Sequence, residues 1–461
     1  MSTGITASCP PPFIAEASIT DGGGYIGGRW CKEIATISCC FPCPIADWRY
    51  SDDFTLEMVP WIGVFGIVLL VIALLSFAVL PTSTTSRHYL TTSPIIGFTF
   101  MAVAFVIPSS PNISECRNEI TPNDWLSENY CALSGSLLIY GVWVVVISCF
   151  FRSLFLYIHL CWEIELGPKF RYACLSITFL GAAALLVLVL LLSGLSYHVG
   201  KLCQINFHRS KESLWGPLLA VTSLSLVLQL LIMAHCIFHV VQQQPPRSAV
   251  RSWIWRGHRQ SAESGGLPPP GFSRTLTKAQ ALRRIVRILQ MQWRAVVIAA
   301  LIVFHAALMA HALLSAGDAT TYSLDEVMPW VVCLLDAEGD KDQCLHIASR
   351  FGPGKELTMA AWTLLSLSGF WAFVCIMRIS MAVAWVEYVK EKWQAWTCVS
   401  HRRSRSAQDR SGSNIAGPMA EEYNPLGSVA HASWQEDKKK LDVPQTMHIS
   451  ESYSASWPLR D

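Results

Sequence analysis

Seven long apolar runs, separated by polar segments, dominate the hydrophobic pattern of this chain. Apolar runs of about 18 or more residues with few charges are typical of membrane-spanning helices, and in lipid a single segment satisfies its own backbone only as a helix. We number the runs spans 1 to 7 in chain order. The pattern predicts them at residues 61–80, 91–108, 132–160, 173–195, 215–241, 294–315 and 357–377. The sequence therefore predicts an all-α membrane protein built as a seven-helix bundle.

The charges between the spans predict how the bundle is oriented. Loop 242–290 carries nine basic residues and one acid, whereas loop 316–356 carries eight acids and three basic residues. Basic loops stay in the cytosol, so the first loop is predicted inside and the second outside. Because the number of spans is odd, the N-terminus is then expected outside and the tail inside, as in a multi-pass plasma-membrane protein.

Composition agrees with a membrane protein and narrows its function. The 461 residues are 52% hydrophobic and 15% charged, with a net charge of +2, against about 25% charged residues in ordinary soluble domains. This balance indicates a lipid bilayer as partner and not nucleic acid. No hydrolase or metalloprotease motif is present, so we expect no catalytic residue, metal or cofactor. His235 and His239 share a helix face, but a hydrogen-bonding role is favoured over metal binding.

Cysteines concentrate in the regions predicted to lie outside. Ten of the sixteen lie there, five of them in residues 1–59, which favours a small disulfide-tied segment over a disordered tail. Cys131, directly before span 3, is placed to bond to Cys203 in the loop between spans 4 and 5. Cys333 and Cys344 share one loop, and Cys116 is left for an N-terminal partner. The number of cysteines does not fix these pairings.

Several stretches together resemble the Frizzled/Smoothened class of seven-helix receptors, and we identify the chain as similar to its fungal Frizzled-like branch. The stretches are LLSFAVLPTSTTSRHYLTTSP at the end of span 1, CRNEITPND from Cys116, GKLC at Cys203, WGPL opening span 5 and LRRIVRILQMQW entering span 6. The resemblance covers about residues 39–395.

The resemblance implies a G-protein-coupled receptor with a defined set of bonds and contacts. It implies the bridges Cys131–Cys203 and Cys333–Cys344, and one from Cys116 to the N-terminal linker. It also implies a cation–π contact between Arg287, at the inner end of span 6, and an aromatic residue of span 7. Such a contact is worth about 0.5–2 kcal/mol and would restrain the inactive state. The aromatic residue is Trp371 or Phe373; a headgroup-facing Arg287 is the alternative.

The chain also departs from animal members of that class. Residues 1–59 are too few for their large cysteine-rich ligand domain, so no lipidated-protein ligand is expected. Their Lys-Thr-x-x-x-Trp motif is replaced by RISMAVAW after span 7. The external ligand is thus unknown, as is the oligomeric state, and a heterotrimeric G protein is the candidate transducer. A transporter or a membrane enzyme is the alternative function, but a coupled transporter needs a buried carboxylate that the spans lack.

The remaining predictions concern domains and modification sites. We predict an outer segment at 1–59, a seven-helix domain at 60–398 and a disordered cytosolic tail at 399–461. Within loop 242–290 a flexible linker precedes a helical extension of span 6 over 275–292, and residues 379–396 fit an amphipathic helix lying in the membrane interface. Asn112, in the sequence Asn-Ile-Ser, is a candidate glycosylation site. Cys398 is either a palmitoylation site or an idle thiol.

Overall fold

A computed structural model describes residues 9–19, 22–34, 37–50, 58–81, 89–164, 166–242, 278–316, 322–351 and 354–412. Within these ranges seven helices are long and apolar enough to cross a membrane, which confirms the predicted seven-helix fold. They are Met58–Val79, Tyr89–Ser109, Asn129–Cys161, Pro168–Leu192, Lys211–Phe238, Trp293–Leu314 and Lys355–Ile376. Each of these spans begins within five residues of its predicted start and ends within three of its predicted end.

Four spans deviate from a plain α-helix, span 2 only in its last turn, which is a 3₁₀ turn at Ile107–Ser109. Span 4 contains a π-helical turn at Ile177–Gly181, and span 5 opens with one at Lys211–Trp215. A π-helical turn leaves backbone carbonyls displaced from their usual donors. In span 4 the hydroxyl of Tyr140 donates to the carbonyl oxygen of Phe179, at 3.4 Å. Span 7 consists of two helices, Lys355–Ser366 and Ser368–Ile376, that meet at Leu367.

Two of the helices continue beyond the apolar part of their spans. Span 6 is the end of a helix that begins at Lys278, so the predicted extension of span 6 is confirmed over Lys278–Ala316. The linker predicted before it lies outside the described residues. A second long helix follows span 7, from Ile379 to Gly412. This helix includes residues 399–412 of the predicted tail, which contain no proline or glycine before Gly412 to end it. The tail beyond Gly412 lies outside the described residues.

The N-terminal segment folds as a small antiparallel sheet. Its strands are β1 (Ile14–Ala15), β2 (Cys31–Ile34) and β3 (Ile37–Cys40), in the order β1-β3-β2. A short helix, Ile45–Arg49, follows the sheet. The disulfide Cys9–Cys39 ties β3 to the chain before β1, and the disulfide Cys31–Cys40 ties β3 to β2. The alternative of a disordered tail is wrong for the described part of this segment.

An aromatic cluster packs the N-terminal sheet against the loop between spans 6 and 7. That loop holds a helix, Leu324–Asp336, which Ser323 caps with its side chain in a capping box with Glu326. The ring of Trp330 in this helix stacks on Phe41 at 4.5 Å between centroids and on Phe351 at 5.5 Å. Trp330 is fully buried. The N-terminal segment is thereby held on the bundle and not merely tethered to span 1.

Glycines allow spans 2 and 3 to approach closely. A Cβ atom added at Gly141 of span 3 would lie 2.7 Å from the carbonyl oxygen of Gly97 in span 2, and one added at Gly97 would lie 2.9 Å from the carbonyl oxygen of Gly141. Backbone atoms cannot rotate away as a flexible side chain can, so the two helices would have to separate. Small residues at such contacts are what permits close helix packing in membranes.

We expect Gly141→Ala to destabilise the bundle by about 1–3 kcal/mol, the usual range for overpacking. The measurement is the midpoint of thermal unfolding of the purified protein in detergent micelles. Gly181→Ala is the matched control, because a Cβ at Gly181 would meet its nearest neighbour at 3.6 Å. The control should equal or exceed the wild-type midpoint, since alanine is the better helix former. Equal midpoints for the two variants would contradict the glycine contact.

Candidate functional site

All five disulfides formed by the described residues lie at one end of the bundle, the end where spans 1, 3, 5 and 7 begin. We call this end the disulfide face. Besides the two N-terminal bonds, the structure joins Cys43 to Cys116, Cys131 to Cys203 and Cys333 to Cys344. The last two are the pairings that the family resemblance implied. Cys43 is the N-terminal partner that the sequence left open for Cys116.

A β-hairpin between spans 4 and 5 lies over the middle of the disulfide face. Its strands are β4 (Leu195–Val199) and β5 (Leu202–Ile205), and every residue of β5 is buried. The disulfide from Cys203 fixes β5 to the first turn of span 3. The sequence predicted only a loop here, because a strand of four or five residues is too short to show a clear alternation of apolar and polar positions.

A second attachment holds the hairpin to the same helix end. Glu128 caps span 3 by accepting a hydrogen bond from the backbone N–H of Cys131 at 2.7 Å. The same carboxylate oxygen accepts a hydrogen bond from the hydroxyl of Tyr197 in β4 at 2.8 Å. That bond and burial both raise the pKa of Tyr197, burial being the larger cause. Tyr197 therefore stays a neutral donor, and both strands are pinned to the start of span 3.

A cavity of about 100 Å³ lies beneath the hairpin. Spans 2, 3, 5, 6 and 7 contribute to its wall, and Cys203, Gln204 and Ile205 contribute from β5. The wall is almost entirely apolar, with Met101, Trp362 and similar side chains, and it includes no Asp, Glu, Lys or Arg among the described residues. A cavity of this kind accepts an apolar guest and offers no partner to an ionic one.

Four polar residues interrupt the apolar wall. Both amide atoms of Gln204 and the indole Nε1 of Trp215 are buried without a hydrogen-bond partner among the described residues. Each such group costs about 1–3 kcal/mol if it stays unpaired. His305 lies beside the backbone of Leu301 in its own span and of Leu364 in span 7. Ser368 completes the set.

The opposite end of the bundle contains a direct contact between spans 6 and 7. The guanidinium Nη1 of Arg294, one residue into span 6, donates a hydrogen bond to the carbonyl oxygen of Met377 at 3.1 Å, just after the end of span 7. The same guanidinium lies 5.8 Å from the ring of the neighbouring Trp293. Arg294 was not among the predicted site residues. A basic residue at the polar edge of an apolar run can indicate a bond to a backbone carbonyl at the end of a neighbouring span.

The residues predicted for a cation–π contact are only partly covered by the structure. Arg287 lies in the helix Lys278–Ala316, but its side chain is outside the described residues. Trp371 is 39% exposed and packs edge-on against Phe370. Phe373 is half-buried. The predicted contact stays a prediction.

The predicted modification sites fall on different kinds of surface. Asn112 is exposed in a turn at the disulfide face, and the Ser114 hydroxyl of the same sequon donates to the carbonyl of Cys116 at 2.8 Å. Cys398 lies in the helix Ile379–Gly412 with its side chain outside the described residues.

Two groups of side chains have the residue types of a metal site. The side chain of His239 is outside the described residues, so the pair His235 and His239 is not tested. Glu16, Cys31 and Cys40 lie close together, but the two cysteines are bonded to each other and offer no thiolate to a metal.

Burial shifts the pKa of two groups at the hairpin, His198 within β4 and Glu115 in the loop between spans 2 and 3. His198 contacts Phe207, with ring centroids 4.5 Å apart, and its Nε2 lies 3.2 Å from Oδ1 of Asn206. Burial lowers the pKa of His198 to about 4. Burial also raises the pKa of Glu115, helped by nearby Asp47 and opposed by Lys201. His198 is therefore neutral in the folded protein at ordinary pH.

These observations define a multi-pass membrane protein in which a seven-helix bundle holds an apolar cavity under a disulfide-anchored hairpin. No protein-family model matches the sequence. The chain is similar to the G protein-coupled receptor gprM of Aspergillus fumigatus, with 36% identity over 400 residues that make up 85% of this chain and 78% of that receptor. The chain therefore belongs to the family of G protein-coupled receptors.

We expect the stability of the protein to fall as the pH is lowered from 7 to 5, partly because of His198. Its pKa in the folded state, about 4, lies below the ordinary value of about 6.5. The unfolded chain therefore binds the proton first, and the free energy of unfolding decreases through this window by on the order of 1–2 kcal/mol. Above pH 7 the group has no effect.

The measurement is the unfolding midpoint against pH for the wild type and His198→Phe. The difference between the two proteins should shrink or change sign as the pH falls, because the variant lacks the titrating ring. Glu115 has the opposite tendency, since its raised pKa favours the folded state at low pH, but it is common to both proteins. Parallel pH profiles would contradict a buried neutral His198.

Proposed function

We propose that this chain is a Frizzled-like receptor of the plasma membrane that transmits an external chemical stimulus to a cytosolic heterotrimeric G protein. The observation that carries the proposal is the apolar cavity beneath a disulfide-anchored hairpin in a chain of the G protein-coupled receptor family. The Frizzled-like assignment is supported by the bonds Cys43–Cys116 and Cys333–Cys344. A linker bridge and a bridge within the last outer loop are what that class resemblance implied.

The proposal places the disulfide face outside the cell. Disulfides persist in oxidising compartments, and five cysteines elsewhere in the described residues, such as Cys149 and Cys174, are free thiols. Span 6 ends at the disulfide face and is followed in the sequence by the acidic segment 316–356, whereas span 5 ends at the opposite end and is followed by the basic segment 242–290, as the positive-inside rule requires. Two independent chemical signals thus support the same orientation.

We keep the domain boundaries 1–59, 60–398 and 399–461 as part of the proposal, with the helical start of the last segment. The exposed residues of the helix Ile379–Gly412 support the proposal that this helix lies in the membrane interface. Its exposed apolar residues recur at helical spacing, for example Val386, Trp393 and Trp396. A stripe of this kind on a charged helix suits the boundary between lipid and water. Cys398, on the same helix, stays a proposed palmitoylation site.

The bond between Arg294 and Met377 supports a mechanism in which spans 6 and 7 are held together at the cytosolic end. A hydrogen bond from a charged donor contributes about 1.5–3 kcal/mol. Such an energy is enough to keep an open conformation a minor state without locking it out. Opening this end would expose the cytosolic half of span 6 to a G protein. Arg287, seven residues earlier on the same helix face, stays a proposed partner in the same restraint.

We expect Arg294→Ala to raise basal nucleotide exchange about five- to tenfold, because the restraint on the open state is removed. The measurement is GTPγS binding to fungal Gα subunits in membranes that contain equal amounts of surface receptor. Arg287→Ala is assayed in parallel, with the same direction expected if its predicted contact exists. Arg171→Ala is the matched control, since Arg171 lies at the same end of the bundle, 5.5 Å from the ring of Tyr89.

Basal exchange above that of receptor-free membranes, raised by Arg294→Ala and unchanged by Arg171→Ala, is the expected pattern. Equal activity in Arg294→Ala and the wild type would remove the restraint from the mechanism. Absence of exchange with every Gα would argue against G-protein coupling itself and leave the fold untouched.

We expect Asn112 to carry an N-linked glycan, because an exposed sequon in an outer loop is accessible to the modifying enzyme. Expression of the wild type and Asn112→Gln in a fungal host, with and without glycosidase digestion, measures this by gel mobility. Digestion should increase the mobility of the wild type to that of the variant. A wild type that is insensitive to the glycosidase would contradict the glycan.

A further inference from the structure

A second cavity lies on the disulfide face, and we call it the linker cavity. Its wall comes from three parts of the chain: the N-terminal segment, the loop between spans 2 and 3, and the hairpin with the residues just after it. Each part contributes described residues, for example Arg49, Glu115 and His198. The linker cavity has a volume of about 40 Å³ and shares no described lining residue with the cavity beneath the hairpin.

Arg49 brings a buried positive charge to the linker cavity. It is the last residue of the helix Ile45–Arg49 and is only 9% exposed. A guanidinium group stays protonated in proteins, so burial does not remove the charge. Its nitrogens form no hydrogen bond or ion pair with the described residues. Of these nitrogens only Nε is sealed off without a partner, so the terminal nitrogens Nη1 and Nη2 stay reachable.

Two aromatic rings flank the guanidinium group of Arg49. Its Cζ lies 5.9 Å from the ring centroid of Trp30 and 5.7 Å from that of Tyr50. Trp30 also lines the linker cavity, which places the charged end of Arg49, and not only its stem, beside that cavity. Cation–π contacts offset part of the cost of burying a charge. They supply no negative charge and leave the N–H donors unpaired.

A neighbouring arginine on the same face shows how a buried guanidinium group is usually accommodated. Arg29 is 7% exposed, and its Nη1 donates to Oε1 of Glu16 at 3.2 Å. Its Nε donates to the hydroxyl of Thr121 at 2.9 Å. Buried charges in proteins are generally paired in this way. Arg49 has no such partner among the described residues, so a partner from solution is needed.

Glu115 and His198, two further ionisable groups on the wall, do not supply the missing charge. No ion pair joins Glu115 to Arg49 among the described residues, and the charged neighbours of Glu115 are Asp47 and Lys201. Burial keeps His198 neutral above a pKa of about 4. The Glu115 carboxyl group does limit the guest, because a like charge close to a carboxylate is disfavoured. A guest with one negative charge is therefore favoured over a guest with two.

We propose that the linker cavity binds a small monovalent anion, with Arg49 as its charge partner and hydrogen-bond donor. One water molecule needs about 10–15 Å³, so about 40 Å³ holds roughly three atoms of that size, as in formate, or a single chloride. Buried apolar residues on the wall, such as Ile120 and Val199, strengthen the pairing by lowering the local dielectric constant. The bound anion joins the N-terminal segment to the hairpin, and its binding does not depend on the proposed receptor function.

The test uses the full chain, purified in lipid nanodiscs at pH 7. Sodium gluconate is replaced stepwise by sodium formate or by sodium chloride at constant ionic strength. Gluconate is also monovalent but is too large for a cavity of about 40 Å³, so the exchange leaves charge screening unchanged. The unfolding midpoint should rise with formate and with chloride and then level off, which gives a Kd for each anion. The lower Kd shows whether a planar carboxylate or a spherical halide is preferred.

Arg49→Met keeps the apolar stem and removes the charge, and it should weaken the binding of both anions about tenfold or more. In gluconate alone this variant should be as stable as the wild type or more so, because no unpaired cation is buried. Arg117→Met is the matched control. Arg117 is an exposed arginine of the loop between spans 2 and 3, bonded to the carbonyl oxygen of Gly22 and absent from the wall. Its anion dependence should equal that of the wild type.

Equilibrium dialysis of radiolabelled formate against the wild type needs no variant and covers the case in which Arg49→Met fails to fold. We expect saturable binding of one formate per chain, displaced by excess chloride and not by gluconate. An unchanged midpoint across the anion exchange, formate uptake that does not saturate, or full anion dependence in Arg49→Met would each overturn the proposal. So would a wild type that exceeds Arg49→Met by the same margin in gluconate and in formate, because the two rings would then suffice. No G protein is present, so these outcomes are separate from a failure of nucleotide exchange.

Discussion

Lipid cannot hydrogen-bond a backbone group, so a backbone carbonyl that its own helix leaves free needs a partner from elsewhere in the bundle. At two positions a side chain from a neighbouring span supplies that partner. Tyr140 of span 3 donates to Phe179 in the π-helical turn of span 4. Arg294 of span 6 donates to Met377 where span 7 ends. These two irregular positions are therefore also positions where neighbouring spans are bonded to each other.

At the disulfide face water can hydrogen-bond the backbone, so lipid does not restrict the fold there. Disulfides and aromatic contacts hold the chain in place instead. Disulfides alone would leave the N-terminal sheet and the hairpin tethered at single points. Glu128 adds a second attachment for the hairpin through Tyr197, and Trp330 adds one for the sheet through Phe41. The hairpin is thus held to the start of span 3 through both of its strands, by a covalent bond from β5 and a hydrogen bond from β4.

The sequence predicts those features that depend on long or strongly biased patterns. The seven spans follow from apolar runs, because no other solution exists for them in lipid. The disulfide-tied segment follows from cysteine density, and the identity of its bonds came from the family resemblance. The hairpin roof and Gln204 were not predicted, because their placement depends on how Cys203 is held against span 3. Arg294 was missed for the same reason, since a single arginine at a helix end acquires meaning only from the carbonyl that it meets.

Span 6 links the cavity to the opposite end of the bundle. His305 and Arg294 are eleven residues apart on one continuous helix, about 16 Å at 1.5 Å per residue. His305 lies beside the backbone of Leu364 within span 7, and Arg294 is hydrogen-bonded to the carbonyl oxygen of Met377 just after span 7. Between these two contacts span 7 is broken at Leu367. The break at Leu367 therefore separates the helix that supplies Trp362 and Leu365 to the cavity wall from the helix whose end Arg294 holds.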